Sequence, residues 1–104
     1  MVRTSLRLVA LLVAPLAVAE THTINQQDKT FSAEEITIKV GDTITFPNSD
    51  PYFHNVFSLS MTKFFDLGTY GQGESPSVTF DASGTVEVEC AIHPDMYLVI
   101  EVTP

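Results

Sequence analysis

The stretch from Val86 to Val102, "VEVECAIHPDMYLVIEV", decides how the chain folds. On both sides of its middle the apolar residues alternate: Val86, Val88 and Cys90 before it, Leu98, Ile100 and Val102 after it. Successive side chains of a strand point to opposite faces, so this period of two marks a pair of half-buried strands. Cys90 shares the parity of Val86 and Val88 and is expected to point inward where the first strand ends. Met96 shares the parity of Leu98 and Ile100 and is expected to point inward where the second begins. Between them "AIHPD" makes a tight connection, in which Pro94 fixes its own φ and keeps His93 extended. A thiol, an imidazole and a thioether at positions 90, 93 and 96 can therefore converge at one end of the protein.

The same alternation runs outward from this stretch. "EITIKVGDTITF" (35–46) puts Ile36, Ile38 and Val40 on one face, turns at Gly41-Asp42, and continues through Ile44 and Phe46. "SVTFDASGTVEVEC" (77–90) repeats the pattern with Val78 and Phe80, a turn through Asp81 to Gly84, and the strand that ends at Cys90. "HTINQQ" (22–27) and "HNVFSLS" (54–60) predict two more strands. Between Met61 and Pro76 the pattern weakens, and "GTYGQGES" (68–75) predicts a loop or irregular excursion. No stretch keeps a helical period. Many short strands with turn punctuation predict an all-β chain, an antiparallel sandwich or barrel.

The first residues stand apart. "MVRTSLRLVALLVAPLAVAE" (1–20) opens with Arg3 and Arg7, runs apolar from Leu8 to Val18, and closes on Ala17-Val18-Ala19. That order predicts a secretory signal peptide over residues 1–19 and a single domain over residues 20–104. The apolar run is short for a bilayer span and Pro15 interrupts it. No cysteine follows it, which argues against a lipoprotein anchor, and the arginines are not adjacent, which argues against a twin-arginine signal. Beyond Ala19 only Lys29, Lys39 and Lys63 stand against 13 acidic residues. Such acidity disfavours nucleic acid and anionic lipid, and steers the protein toward a basic partner.

Cys90 is the only cysteine. Small exported domains use cysteines in pairs, as disulfides. A single one is inert, bonds another chain, or binds a ligand. "PNSDPYFHNVF" (47–57) supplies the further imidazole that a metal site needs, His54. Taken singly, His54, Cys90, His93 and Met96 each have a bland role as turn or core residues. Taken together, two imidazoles, a thiolate and a thioether select copper, and two histidines with one cysteine and a weak axial methionine describe a blue-copper electron-transfer site. Zinc sites seldom use methionine. The third histidine, His22, lies two residues after Glu20. A free amine at Glu20 would let it chelate Cu(II) through backbone nitrogens, although a first or edge strand with a solvent-facing histidine is the simpler expectation. Met61 is expected to fill core or loop. No Ser-His-Asp set, phosphate-binding glycine loop or paired-cysteine zinc motif is present.

"CAIHPDM" (90–96) resembles the C-x2-H-x2-M ligand loop of the cupredoxins of the amicyanin type. "FHNVF" (53–57) resembles their upstream His-Asn-Val segment, and "FSAEEITIKVGDTITFPNSD" (31–50) their second and third strands. The resemblance covers nearly all of residues 20–104. It implies a Greek-key β-sandwich of about eight strands. It implies one copper ion, Cu(I) or Cu(II), on His54, Cys90, His93 and Met96. It implies that Asn55 donates its backbone N–H to the Cys90 sulfur and ties the two ligand loops together with its side chain. It further implies a periplasmic one-electron carrier, not an enzyme, working as a monomer between redox proteins such as a c-type cytochrome or a periplasmic dehydrogenase or oxidase. The alternative is a periplasmic copper chaperone or store, a class that favours exposed, exchangeable sulfur clusters. For a carrier, the outer edge of His93 is expected at the surface and His54 inside. Pro51, Tyr52, Phe53 and Pro94 would then form a small docking patch, which suffices for a weak redox encounter.

Overall fold

The computed structural model describes residues 18–104, so the signal-peptide reading of residues 1–19 lies almost wholly outside the described residues. Ten strands follow in order: β1 Thr21–Thr23, β2 Gln26–Gln27, β3 Thr30–Phe31, β4 Glu35–Lys39, β5 Thr43–Thr45, β6 His54–Ser58, β7 Phe65–Tyr70, β8 Ser77–Thr79, β9 Gly84–Cys90 and β10 Tyr97–Thr103. Among the described residues there is no helix. The strands build a five-stranded sheet, β4-β10-β9-β6-β7, a three-stranded sheet, β1-β5-β8, and the small β2-β3 hairpin. This is the expected all-β sandwich, with ten short elements where about eight strands were expected. The excess comes from division: "HTINQQ" separates into β1 and β2 around Ile24 and Asn25, and β3 returns against β2.

The chain crosses between the sheets several times, from β4 to β5, back to β6 and β7, over to β8 and back to β9. β10 closes the fold inside the large sheet, between β9, to which it is antiparallel, and the edge strand β4, to which it is parallel. The alternation read from the sequence is the buried face. Val86, Val88, Leu98 and Ile100 of the large sheet share one core with Ile44 of the small sheet and with Phe46 and Phe80 just past its strands, all fully buried. Cys90 and Met96 belong to the same core.

Two local expectations fail. The stretch from Met61 to Pro76 is not irregular throughout: Phe65–Tyr70 forms β7, the edge of the large sheet. Its alternation is broken because a bulge shifts the β6–β7 register between Asn55 and Phe57, and Gly68 takes the left-handed φ of 70°. Val40 does not share the buried face of Ile38. It lies past the end of β4, in the turn at Gly41, and is exposed.

That turn is held by a buried carboxylate. Asp42 accepts hydrogen bonds from the Glu20 N–H (2.9 Å), the Lys39 N–H (3.0 Å) and His22 Nε2 (2.9 Å). The Glu20 amide, then the His22 ring and the Lys39 amide, hold the Asp42 carboxyl at about 2, below its ordinary 3.8. His22 thus sits on the edge strand β1 with its ring turned to Asp42 rather than to solvent.

Candidate metal centre

Pairing between β6 and β9 sets Val56 opposite Cys90. His54, two residues earlier on the same face of β6, is thereby carried to the end of β9 where Cys90 sits. The connection after Cys90 folds back through a bond from the Met96 N–H to the His93 carbonyl (3.0 Å). This brings His93 over the same point. His54 Nδ1 and His93 Nδ1 are 3.2 Å apart, and the Cys90 sulfur lies 3.7 Å from the first and 3.8 Å from the second. Met96 is buried at the start of β10, with 1% of its surface exposed. His54 and Cys90 are buried and His93 is half-buried.

The three donors fit a single ion. Bonds of about 2.0 Å to nitrogen and about 2.3 Å to sulfur let two nitrogens of one site lie up to ~4.0 Å apart, and nitrogen and sulfur up to ~4.3 Å. The observed separations fall within both limits. His54 Nε2 lies 2.7 Å from a carboxylate oxygen of Asp50 and donates to it. Its Nδ1 therefore carries a lone pair, aimed at the Cys90 sulfur and at His93. With His93 Nδ1 and the Cys90 thiol also deprotonated, three lone pairs would converge on one point, an arrangement that a cation satisfies. Burial, reinforced by His54 and by the charge of Lys29, holds His93 below the usual imidazole range, so its neutral form, the one that can ligate, is favoured.

The surroundings fix these side chains. The Asn55 N–H points at the Cys90 sulfur (3.4 Å), as expected. The Asn55 side chain does something else. Its Nδ2 donates to Thr69 Oγ1 of β7 (3.2 Å), and the two ligand segments are joined instead by the Ala91 N–H donating to the Asn55 carbonyl (3.0 Å). The reason is direction: Asn55 points to the outer face of the sheet, opposite to the inward His54 and Val56. Before His54, the connector is braced by Asn48. Its Oδ1 accepts the Asp50 N–H (2.8 Å) and its Nδ2 donates to the carbonyls of Tyr52 (2.9 Å) and Tyr70 (3.1 Å).

Ile92 and Pro94 line a groove with His93, and Pro51 and Phe53 are exposed on either side of Tyr52 in the chain, with Phe53 62% and Ile92 48% exposed. Tyr52 differs from its expected place in this patch. Its ring is half-buried against both imidazoles, with centroids 5.6 Å from His54 and 5.4 Å from His93, and Lys29 Nζ lies 5.4 Å from its centre. Met61 is fully exposed in the β6–β7 loop. Sequence reasoning passed over Asp50 and Ile92. The signal for Asp50 was present, an acidic residue four positions before a ligand histidine in a proline-bounded turn. A second group of possible donors, Glu20, His22 and Asp42, lies at the opposite end of the sandwich, where Asp42 is already bonded to three donors.

The comparisons agree with this geometry. The family described as copper binding proteins, plastocyanin/azurin family, matches residues 18–103. Among solved structures, the chain is similar to a copper-containing nitrite reductase from Thermus scotoductus SA-01, with 25% identity and a TM-score of 0.75. That match covers 81% of this chain and only 22% of the reductase, so the chain spans about a fifth of that protein. It is similar to a reduced amicyanin variant, with 25% identity and a TM-score of 0.73, over 79% of this chain and 81% of the amicyanin. A second amicyanin variant, in a reduced Cu(I) form at pH 4, shares 25% identity with a TM-score of 0.72, over 86% and 87% of the two chains. No curated protein matches. The family match over nearly every described residue and the convergent donor set lead to one conclusion: the chain belongs to the plastocyanin/azurin family of copper-binding proteins, with copper as its cofactor.

Proposed function

We propose that this protein is a periplasmic one-electron carrier in which His54, Cys90, His93 and Met96 hold a single copper ion. The observation that carries the reading is the approach of two imidazole nitrogens and a thiol to within 3.8 Å of one another at the closed end of a rigid sandwich. Copper, when bound, supplies the reversible Cu(I)/Cu(II) couple. The chain does the rest. β6, β9 and β10 fix the donors before any ion arrives, so an electron can come and go with little movement. Burial of His54, Cys90 and Met96 keeps water out. The half-buried His93 ring offers the short path to a partner, and the exposed Pro51, Phe53, Ile92 and Pro94 would form the docking patch. The excess of acidic residues favours a basic redox partner, for instance a c-type cytochrome. The protein would act as a monomer and not as an enzyme, since a site filled by four side chains leaves no position for substrate.

Residues 1–19 would direct export and be removed after Ala19. The amine so created at Glu20 would start 2.9 Å from the Asp42 carboxylate, a favourable place for a new positive charge. Storage or delivery of copper is the less favoured function, because a chaperone needs accessible ligands and here the sulfurs are buried. The test is repeated cycling of the copper-loaded protein with ascorbate and ferricyanide, with gel filtration after each cycle. A carrier keeps one copper per chain throughout. Loss of the metal on reduction would instead support delivery.

A further inference from the structure

We infer that Asp50 is a positioning residue of the copper site, a buried carboxylate that orients the His54 ring and favours Cu(II) over Cu(I). This rests on the electron-carrier reading above and deepens it. Asp50 and His54 are both buried, at 2% and 0% exposure, and their side chains are 2.7 Å apart. The carboxylate is itself held from the other side. Its Oδ1 accepts the Asp28 N–H at 2.7 Å and its Oδ2 the Lys29 N–H at 3.2 Å. Those amides come from the two-residue turn between β2 and β3, where Asp28 and Lys29 take φ of 55° and 57°. Two consecutive left-handed residues without a glycine are unusual for a hairpin turn. The conformation lets both N–H groups point at one carboxylate. The turn, the carboxylate and the imidazole thus form a chain that reaches from the surface to the site.

The physical consequences follow from the donor count. A carboxylate that accepts three N–H groups is kept ionised despite its burial. Facing Nε2, it selects the tautomer with Nδ1 free, locks the ring plane and raises the basicity of the ligating nitrogen. A fixed negative charge one ring away stabilises the more highly charged ion. A neutral hydrogen-bond acceptor at this place would orient the ring without that bias.

The experiment compares copper-loaded wild type with Asp50→Asn and Asp50→Glu. In Asp50→Asn, Cu(II) affinity is expected to fall about 10–100-fold, with Cu(I) affinity falling less. Each tenfold change in that ratio raises the one-electron potential by about 59 mV. Asp50→Glu keeps the charge and is expected to recover most of the shift. An unchanged potential in Asp50→Asn, or an equal shift in both variants, overturns the inference. A residue that only braced the turn would lower Tm and leave the potential alone. Should Asp50→Asn not fold, nitrogen-15 NMR of the diamagnetic Cu(I) wild type still decides. The His54 Nε2–H is expected far downfield and slow to exchange, and an ordinary, fast-exchanging signal contradicts the assignment. If wild type takes up no copper, the electron-carrier reading fails instead, and the two failures are distinct.

Discussion

At the scale of single residues, Cys90 combines three constraints. It is the last inward position of a core strand, it accepts the Asn55 N–H, and it lies within 3.8 Å of two imidazoles. Replacing it with serine removes the soft donor while changing little volume. Cys90→Ser is expected to keep the fold and to lose the intense visible absorption of the copper form, which absorption and circular dichroism spectra check together. Met96 tests a different property. As the softer and weaker sulfur donor of the proposed set it would tune the potential rather than hold the ion. Met96→Leu conserves volume, so its stability cost should stay below about 1.5 kcal/mol. It is expected to retain copper and colour with a higher potential by voltammetry; loss of copper would mean that Met96 is a principal ligand.

At the scale of elements, the register of β6 against β9 builds the site. Leu98 of β10, the strand beside β9 in the same sheet, is fully buried. Leu98→Ala is expected to cost about 2–5 kcal/mol, measurable by denaturant unfolding. Gly68 tests the bulged edge strand. No atom lies within 4 Å of the place where its side chain would start, but its φ is 70°. Gly68→Val is therefore expected to cost roughly 1–2 kcal/mol through backbone strain alone, with Asn at the same place costing less. These elements also show what the sequence makes legible. The β9–β10 unit was plain, because Val86, Val88, Leu98 and Ile100 alternate without interruption and the ligands inherit their parity. β7 was hidden, because Leu67 and Gly68 break the alternation at a bulge that only pairing with β6 reveals. Asp50 was legible only in part, through its spacing of four from His54. Its partners are the Asp28 and Lys29 amides and His54, and no local pattern records that a hairpin more than twenty residues earlier will fold onto it. The side chain of Asn55 went to Thr69 because that neighbour lies on the hidden strand.

At the scale of the whole molecule, acidic residues reach both ends of the sandwich, Asp28 and Asp95 beside His93 and Glu20 and Asp42 at the other. At the copper end Ile92 and Pro94 share a groove with His93, and the charged Asp28, Lys29 and Asp95 line the same groove. Electron exchange with a basic partner is expected to slow as ionic strength rises, because steering weakens with screening. Stopped-flow rates over a salt series check this, and a flat profile would contradict steering. The opposite end contributes to acid stability. The Asp42 carboxyl sits at about 2 in the folded chain against 3.8 ordinarily, so its contribution is complete above about pH 4 and is lost as pH falls toward 2. Asp50 is shifted in the same direction: burial alone would raise it, but the bonds from His54 and the two amides outweigh burial. Asp42→Asn is therefore expected to flatten, without abolishing, the fall in Tm of the metal-free protein between about pH 5 and pH 2. The central claim remains that four side chains from β6, β9 and the loop before β10 enclose one copper ion. Titration of the metal-free protein with Cu(II) tests it most directly. An intense blue absorption that saturates at one equivalent and is bleached by ascorbate is the result expected; colourless binding, or saturation only well beyond one equivalent, would contradict it.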